Sequence, residues 1–316
     1  MCGIFGWVSR KSLLSDDDIT AASQSTELMV HRGPDFGGKW HSSSVFMGHR
    51  RLSIIDLSDT AHQPFIDQTG RYVLIFNGEI YNYLELKQEL ESLGETFKTT
   101  SDTEVLLIAL IRWGAGALQK LDGMFAASFH DSKAGTHLLF RDPLGQKPLY
   151  VMESPDSIIY ASELRSILSL PSFTWKLDVS SFQRFLMNSY YACEDTPIKG
   201  IRKLLPGHAL EISEAGSKQF CYWKSVPGDN LTHLKEDEAV DRFSELFSQS
   251  CMRSMRTDVP FGVFLSGGID SSLVADFCKS INPDIRAFSV AMGEPDFDES
   301  SKAITVAKHL GIDDHH

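Results

Sequence analysis

The 316-residue sequence has no excess of positive charge and no long apolar run. It carries 30 Lys and Arg against 42 Asp and Glu, a formal net charge of −12. Nucleic acids and anionic membranes attract basic surfaces, so we expect neither as a partner. No stretch approaches the ~20 apolar residues of a membrane span. No apolar run follows the early basic residues Arg10 and Lys11, so we also expect no signal peptide.

Cysteines are few, and their spacing fits neither a disulfide framework nor a zinc site. The number is odd and no pair is spaced C-x-x-C, which indicates a reducing, cytoplasmic location. The composition is that of an ordinary globular protein, with 42% apolar residues. At ~150 residues per domain the length suggests about two domains. The five cysteines are Cys2, Cys193, Cys221, Cys251 and Cys278.

The first half of the sequence predicts short strands mixed with helices. Helical spacing of apolar residues follows the candidate cap Ser15, runs from Tyr83 to Gly94, and recurs over Val105–Trp113 with Asp102 as a candidate cap. Runs of β-forming residues bounded by Gly, Asp or Ser predict the strands. These are Ile4–Val8, Val45–His49, Tyr72–Phe76, Met124–Phe129 and Thr136–Phe140.

The pattern changes after about residue 195. Pro and Gly punctuate the chain as far as a break at Pro227–Asn230. From Glu236 helix and strand alternate, which predicts an α/β domain with a parallel sheet. We therefore expect a first domain over 2–208, a linker over 209–235 and a second domain over 236–316. The expected elements are a helix to about Arg256, strand Pro260–Leu265, helix Ser271–Ser280, strand Ile285–Val290 and helix Ser300–Leu310.

Cys2 follows the initiator methionine, which is normally removed before a small residue. An N-terminal cysteine carries its own base, since an α-amino group titrates near ~8 and a thiol near ~8.5. The uncharged amine can then accept the thiol proton, as the base does in any nucleophile–base pair. A small residue at position 2 is common in proteins, so Cys2 alone indicates little.

Further motifs in the sequence indicate a function for Cys2. In chain order, six motifs resemble the class II glutamine amidotransferases, which are N-terminal-nucleophile hydrolases. The resemblance covers roughly residues 2–200 and implies an αββα sandwich that hydrolyses glutamine. The motifs are Cys2–Gly6, His31–Asp35, Arg51–Asp56, Asn77–Asn82, Ser101–Asp102 and Arg141–Gly145.

The resemblance implies a catalytic role for Cys2, with Asn77 and Gly78 as oxyanion donors, each worth ~3 kcal/mol. Each match also has a structural alternative when taken singly. Asn-Gly is the commonest hairpin dipeptide, and Arg51 could form a surface ion pair. His31, Arg32 and Asp35 are expected to organise a loop.

Three further residues are implied to bind the amino-acid end of glutamine. Arg51 can hold the α-carboxylate by a fork of two hydrogen bonds. Glu79 and Asp102 are anions suited to the α-ammonium group. Asp102 has the alternative role of a helix cap.

A second motif, Ser266–Ser272, lies between a predicted strand and a predicted helix. Its two glycines let an anion approach, and successive N–H groups form a nest at the helix N-terminus. Asp270 would repel phosphate unless a cation mediates, which indicates Mg²⁺ as a cofactor beside ATP. The loop resembles that of ATP pyrophosphatases. The implied ATP-binding residues are Leu265, Ser266, Gly267, Gly268, Asp270, Ser271 and Val290, with Glu299 as a further candidate.

A terminal-cysteine glutaminase followed by this loop resembles the glutamine-hydrolysing asparagine synthetases, a family of carbon–nitrogen ligases. The implied substrates are glutamine, ATP and an acceptor carboxylate, aspartate by default. The loop argues against phosphoribosylpyrophosphate amidotransferase and glucosamine-6-phosphate synthase, and Cys2 argues against β-lactam synthetases. The resemblance also allows a homodimer.

Three alternatives to asparagine synthesis remain open at this point. The acceptor could be a sugar-acid or peptide carboxylate, the chain could be a glutaminase alone, or it could be a regulatory remnant. The family is much longer than this chain, and its later acidic loop and acceptor residues are absent from the sequence. We therefore expect a fragment, a truncated form, or a chain that relies on a second one.

Overall fold

The computed structural model describes residues 1–11, 13–225, 234–294, 296 and 298–316. The chain divides into two compact units, Met1–Ser225 and Val226–His316. The break expected at Pro227–Asn230 lies outside the described residues.

The first unit contains two antiparallel sheets, with strands numbered in chain order. The first sheet consists, across its width, of β10 (Ile201–Lys203), β8 (Tyr150–Glu153), β9 (Ser157–Ala161), β1 (Gly3–Ser9), β3 (Val45–Arg51) and β2 (Phe36–His41). The second consists of β12 (Gly216–Cys221), β11 (His208–Ser213), β7 (Thr136–Arg141), β6 (Gly123–Asp131), β5 (Tyr72–Ile80) and β4 (Phe65–Ile66).

The two sheets pack face to face, and helices cover their outer faces. Ile4 and Val45 from the first sheet share a buried cluster with Ile75 and Leu139 from the second. Apolar side chains of α1 and α4 pack on the first sheet, and those of α2 and α3 on the second. These layers confirm the expected αββα sandwich. The helices are α1 (Asp16–Glu27), α2 (Tyr83–Ser92), α3 (Asp102–Trp113), α4 (Leu164–Leu168) and α5 (Val179–Asn188), with short 3₁₀ turns at Asp59–Ala61 and Gly114–Lys120.

In the first unit, the cap expected for α1 is the cap observed, whereas the cap of α3 differs from the expected one. Ser15 caps α1 by accepting the main-chain N–H of Asp18, as expected from the sequence. Asp102, expected as the cap of α3, is instead its first residue. The hydroxyl of Ser101 accepts the N–H of Thr103 at 3.1 Å, so Ser101 is the cap. The Asp102 carboxylate is thereby left for another role.

The expected boundary at residue 208 differs from the structure. Residues 208–221, assigned mostly to a linker, form β11 and β12. Ala209 in β11 pairs with Phe140 in β7, so these strands extend the second sheet. Burial of Ala209, Leu210 and Ile212 in the sandwich explains why this segment belongs to the first unit.

The second unit has the expected α/β alternation. Its elements are α6 (Glu236–Ser254), β13 (Gly262–Phe264), α7 (Ile269–Ile281), β14 (Arg286–Phe288) and α8 (Ser300–Leu310). Strands β13 and β14 are parallel, with Val263 opposite Ala287. His315 forms a parallel bridge with Ala287 on β14. Among the described residues, no helix is long and apolar enough to span a membrane.

Candidate active site

A cavity of about 280 Å³ in the first unit brings together all six residues expected to act on glutamine. It opens where β1, β3 and β5 meet the start of α3. Groups from four separate segments therefore converge on one small space. The six are Cys2, Arg51, Asn77, Gly78, Glu79 and Asp102.

Cys2 lies just before β1, at the edge of this cavity. The main-chain N–H of Leu52 donates a hydrogen bond to its Sγ at 3.4 Å. Burial raises the pKa of the Cys2 thiol, whereas this N–H and the nearby Arg51 act in the opposite direction. The Nε–H of Arg32 donates to the Cys2 carbonyl at 2.8 Å. The thiol is thus fixed in place but still needs a base to ionise it.

Asn77 and Gly78 lie inside strand β5, not in a turn. They pair with Ala126 and Phe125 of β6, so the hairpin alternative is wrong. Asn77 is fully buried, yet neither atom of its side-chain amide has a hydrogen-bond partner in the described part of the chain. Such an orphan costs stability, which is typical of a group kept for function. A Cβ on Gly78 would lie 2.1 Å from the Met124 carbonyl oxygen, so only glycine fits there.

Arg51 is buried at 4% exposure, so it is no surface ion-pair residue. Its guanidinium donates to the main-chain carbonyls of Ser58 at 3.0 Å and Ile55 at 3.3 Å, and to that of Asp56. Three of its five N–H donors are therefore engaged by the loop that lines the cavity. The free two-bond fork expected from the sequence is not present; two donors remain for a substrate.

Glu79 and Asp102 place two carboxylates on one side of the cavity. Burial raises the pKa of Asp102 to about 7, and the negative charge of Glu79 adds to the effect. Burial also raises the pKa of Glu79, with Lys147 opposing it. A buried and a half-buried carboxylate that resist ionisation provide a site for a cation, because a bound positive charge would stabilise the ionised form of both.

Three polar side chains of the site, those of Lys147, Gln63 and Thr103, were missed by the sequence reasoning. Lys147 lines the cavity at 6% exposure. It follows the quoted motif Arg141–Gly145 by two residues, which was the available signal. Gln63 accepts the N–H of Phe76 at 2.6 Å and donates to the Thr103 hydroxyl at 3.3 Å. No motif pointed to Gln63.

A second cavity, of about 260 Å³, lies in the second unit beside the glycine-rich loop. It is lined by Leu265, Ser266, Ser271 and Val290, four of the residues expected to bind ATP, and by Glu299. The other three expected residues, Gly267, Gly268 and Asp270, belong to the loop and the first turn of α7 but do not line this cavity.

The loop itself leads directly into the first turn of α7. Helix α7 begins at Ile269, two residues earlier than expected, with Gly268 as its cap. Gly267 has φ +78°, and its Cβ would lie 2.6 Å from the Lys302 side chain. Near Gly268 a Cβ would meet only the Ser266 hydroxyl, at 3.3 Å. The loop is therefore packed on one side and open on the other, where the first N–H groups of α7 need acceptors.

Metal ligands are sparse in this unit. Asp270 is exposed and offers one carboxylate. Across the described ranges there is no group of three His, Cys, Asp or Glu residues able to hold a metal ion. An ion at this loop would need most of its oxygen ligands from a phosphate group.

The chain matches two family models in sequence. Residues 1–223 match the glutamine amidotransferase domain. Residues 242–316 match asparagine synthase.

Curated relatives cover nearly the whole chain. It is 37% identical over 317 residues to glutamine-hydrolysing asparagine synthetase 1 of Bacillus subtilis strain 168, covering 99% of this chain and 49% of that protein. It is 33% identical over 331 residues to a putative glutamine-hydrolysing asparagine synthetase of Mycobacterium tuberculosis, covering 98% and 51%. The chain thus spans about half the length of these relatives.

Solved structures show the fold. Glutamine phosphoribosylpyrophosphate amidotransferase from Bacillus subtilis, complexed with ADP and GMP, matches with a TM-score of 0.56 at 15% identity, over 99% of this chain and 90% of that one. An allosteric regulatory enzyme of purine biosynthesis matches with a TM-score of 0.53, also at 15% identity, over 100% and 80%.

Proposed function

The chain belongs to the glutamine amidotransferase family, and from this premise we propose that its first unit releases ammonia from glutamine at Cys2. The observation that carries the proposal is the single cavity in which Cys2, the unpartnered amide of Asn77 and the carboxylate of Asp102 meet. A nucleophile, an oxyanion donor and an anchor for the ammonium group are what amide hydrolysis of an amino acid needs.

The reaction follows from the atoms present. With Met1 removed, the α-amine of Cys2 takes the thiol proton, and Sγ forms a bond to the amide carbon of glutamine. The oxygen of that amide becomes an oxyanion, which the Asn77 side chain and the Gly78 N–H stabilise. The C–N bond then breaks, and the proton held by the amine leaves with the nitrogen as ammonia. Water attacks the thioester and frees glutamate and the thiol.

Different residues bind the two charged groups at the amino-acid end of glutamine. Glu79 and Asp102 accept the α-ammonium, since both carboxylates line the cavity and the pKa of each is raised by desolvation. Arg51 faces the α-carboxylate with the donors that the loop leaves free. In this arrangement the loop carbonyls that hold Arg51 also fix where the substrate carboxylate binds.

The second unit is proposed to bind ATP in the whole protein. The open side of Gly268, the hydroxyls of Ser266 and Ser271 and the start of α7 suit a pyrophosphate. Mg²⁺ would be held between that pyrophosphate and Asp270, and would neutralise the charge of the leaving group. The acceptor is proposed to be aspartate, activated as an acyl-adenylate and amidated by the released ammonia. The names of the relatives support this acceptor.

We also propose that the two units, Met1–Ser225 and Val226–His316, are the glutaminase part and the beginning of the synthetase part. A cytoplasmic location is supported by the five cysteines, all of which are free thiols.

Substitution of Cys2 tests the glutaminase proposal. Cys2→Ala should release no glutamate from glutamine and form no adduct with a glutamine-mimicking diazoketone, while its thermal melting stays close to that of the unmodified chain. Cys193→Ala, which removes an exposed free thiol, is the matched control and should keep both properties. Intact mass shows whether Met1 has been removed. Glutamate release by Cys2→Ala would refute the assignment.

A further inference from the structure

The segment Arg141–Gly145 has no role in the proposed reaction, yet it is among the most firmly held parts of the first unit. It leaves the end of β7 and leads to β8. Asp142 is fully buried in it. Its carboxylate accepts four main-chain N–H groups: those of Gln146 and Lys147 at 2.9 Å, Leu144 at 3.1 Å and Phe125 at 3.2 Å. A buried carboxylate with this many donors fixes the loop that wraps around it.

Arg141 holds the same loop from the other side. Its guanidinium donates to the carbonyls of Lys147 and Gly145 at 2.7 Å and to that of Leu204 at 2.6 Å. Gly145 has φ +67°, and its Cβ would lie 2.8 Å from Cγ of Pro206, so the tight path needs glycine. Arg141 and Asp142 together fix the main chain of Lys147, because its N–H donates to Asp142 and its carbonyl accepts from Arg141.

The loop delivers the Lys147 side chain into the glutamine cavity. Lys147 lines it together with Cys2 and Glu79, and is 6% exposed. Burial lowers the pKa of Lys147, and the negative charges of Glu79 and Cys2 partly counter this. Lys133, in the connection from β6 to β7, is exposed by contrast. A buried lysine is costly unless its charge is used.

We propose that Lys147 is a positioning residue of the glutaminase reaction, whose ammonium keeps the terminal amine of processed Cys2 uncharged and favours the Cys2 thiolate. The inference rests on the proposed function of the cavity. A cation in a confined space disfavours protonation of a neighbouring amine and favours ionisation of a neighbouring thiol, so one charge prepares both base and nucleophile. The closely held loop around Asp142 then serves to place the Lys147 ammonium in the cavity.

The charges around Lys147 come from several elements. Arg32, in the loop after α1, lowers the pKa of the Met1 amine, as Lys147 does. Glu79 on β5 and Asp142 in the loop itself raise the pKa of Lys147. In the unprocessed chain, burial lowers the pKa of the Met1 α-amine; Cys2 and Glu79 oppose this, and Lys147 and Arg32 add to it.

The experiment measures kcat/KM for glutamine and the rate of diazoketone labelling of Cys2 between pH 5.5 and 9. It uses the 316-residue chain with Met1 removed. In Lys147→Met the acidic limb of both profiles should move upward by about one pH unit, so that activity near the foot of the limb falls about tenfold. Lys147→Arg should keep the limb of the unmodified chain. Lys133→Met is the matched control and should also keep it.

The possible outcomes separate the two proposals. An unshifted limb in Lys147→Met would overturn this inference alone. A shift of the acidic limb in Lys147→Arg as large as that in Lys147→Met would also overturn this inference, because the positive charge would then not be the cause. Lys147→Gln, checked by thermal melting, takes the place of the methionine variant if that variant does not fold. No glutamate release by the unmodified chain would refute the proposed function, and this inference with it.

Discussion

The carboxylate of Asp102 accepts a hydrogen bond from the main-chain N–H of Ile80 at 3.0 Å. This bond ties the first residue of α3 to the last residue of β5, the strand that also carries Asn77 and Glu79. The proposed oxyanion donor and the proposed ammonium anchor are therefore held on one frame. A substrate bound between them meets both groups at a fixed separation, which favours a reactive geometry.

Glutamine binding should weaken as the pH falls below 7. Burial, reinforced by Glu79, raises the pKa of Asp102 to about 7, and only the ionised carboxylate attracts the α-ammonium. Below that pH a proton competes with the substrate, so KM should rise up to about tenfold per pH unit. Steady-state kinetics between pH 5.5 and 8.5 measure this. Asp102→Asn should show a high KM that no longer depends on pH in this range.

The same substitution should stabilise the protein at neutral pH. The folded pKa of Asp102 lies above the unfolded value of 3.8, so the folded state binds the proton more tightly. Between about pH 4 and 7 its contribution to stability therefore falls as pH rises, and the full cost is present above pH 7. Asp102→Asn removes that cost and should raise the Tm by about 2 °C or more at pH 8.

Thermal melts at two pH values provide the check on this stability effect. At pH 4 the variant and the unmodified chain should melt together, because the carboxyl is protonated in the folded state. Equal melting temperatures at pH 8 as well would show that Asp102 carries no unfavourable burial.

Asn77→Ala should lower kcat by about 100-fold or more with little change in KM, because its amide would bond the oxyanion that forms during reaction. The side chain has no hydrogen-bond partner among the described residues, so its loss removes no bond that supports the fold. Asn82→Ala is the control. It loses bonds to Lys120 and Asp122 at 2.9 Å and should cost about 1 kcal/mol of stability without lowering kcat. A rise in KM at constant kcat for Asn77→Ala would contradict its role.

The sequence could indicate which residues line the proposed glutamine cavity largely because they lie in short, recognisable motifs. Cys2, Asn77 and Asp102 are far apart in sequence, yet each lies in or beside a strand or helix that its sequence neighbours specify. Lys147 could not be placed in this way. Its position depends on the bonds that Arg141 and Asp142 make to the main chain, which exist only once β7 and β8 have taken their places in the two sheets.

The linker predicted from residue 209 shows a second limit. Pro206 and Gly207 are typical of a connection, and β11 is only six residues long. What makes it a strand is the free edge of β7, where Ala209 pairs with Phe140. Such non-local pairing outweighs the local turn signal. In the same way, Ser101 rather than Asp102 caps α3, because Asp102 is engaged by β5.

The last prediction concerns the 316 residues taken as a polypeptide. They should release glutamate from glutamine but no pyrophosphate from ATP with aspartate, and nucleotide binding should be weak or absent. The described part of the second unit has two paired parallel strands, and His315 and His316 begin to bond along β14. Ligands of open parallel sheets bind in a crevice bordered by strands on both sides. Phe264 is 80% exposed beside the glycine-rich loop, as expected if further chain covers it in a complete synthetase. Parallel assays of glutamate and pyrophosphate on one preparation make the comparison. Steady pyrophosphate release would show that these residues suffice to activate the acceptor.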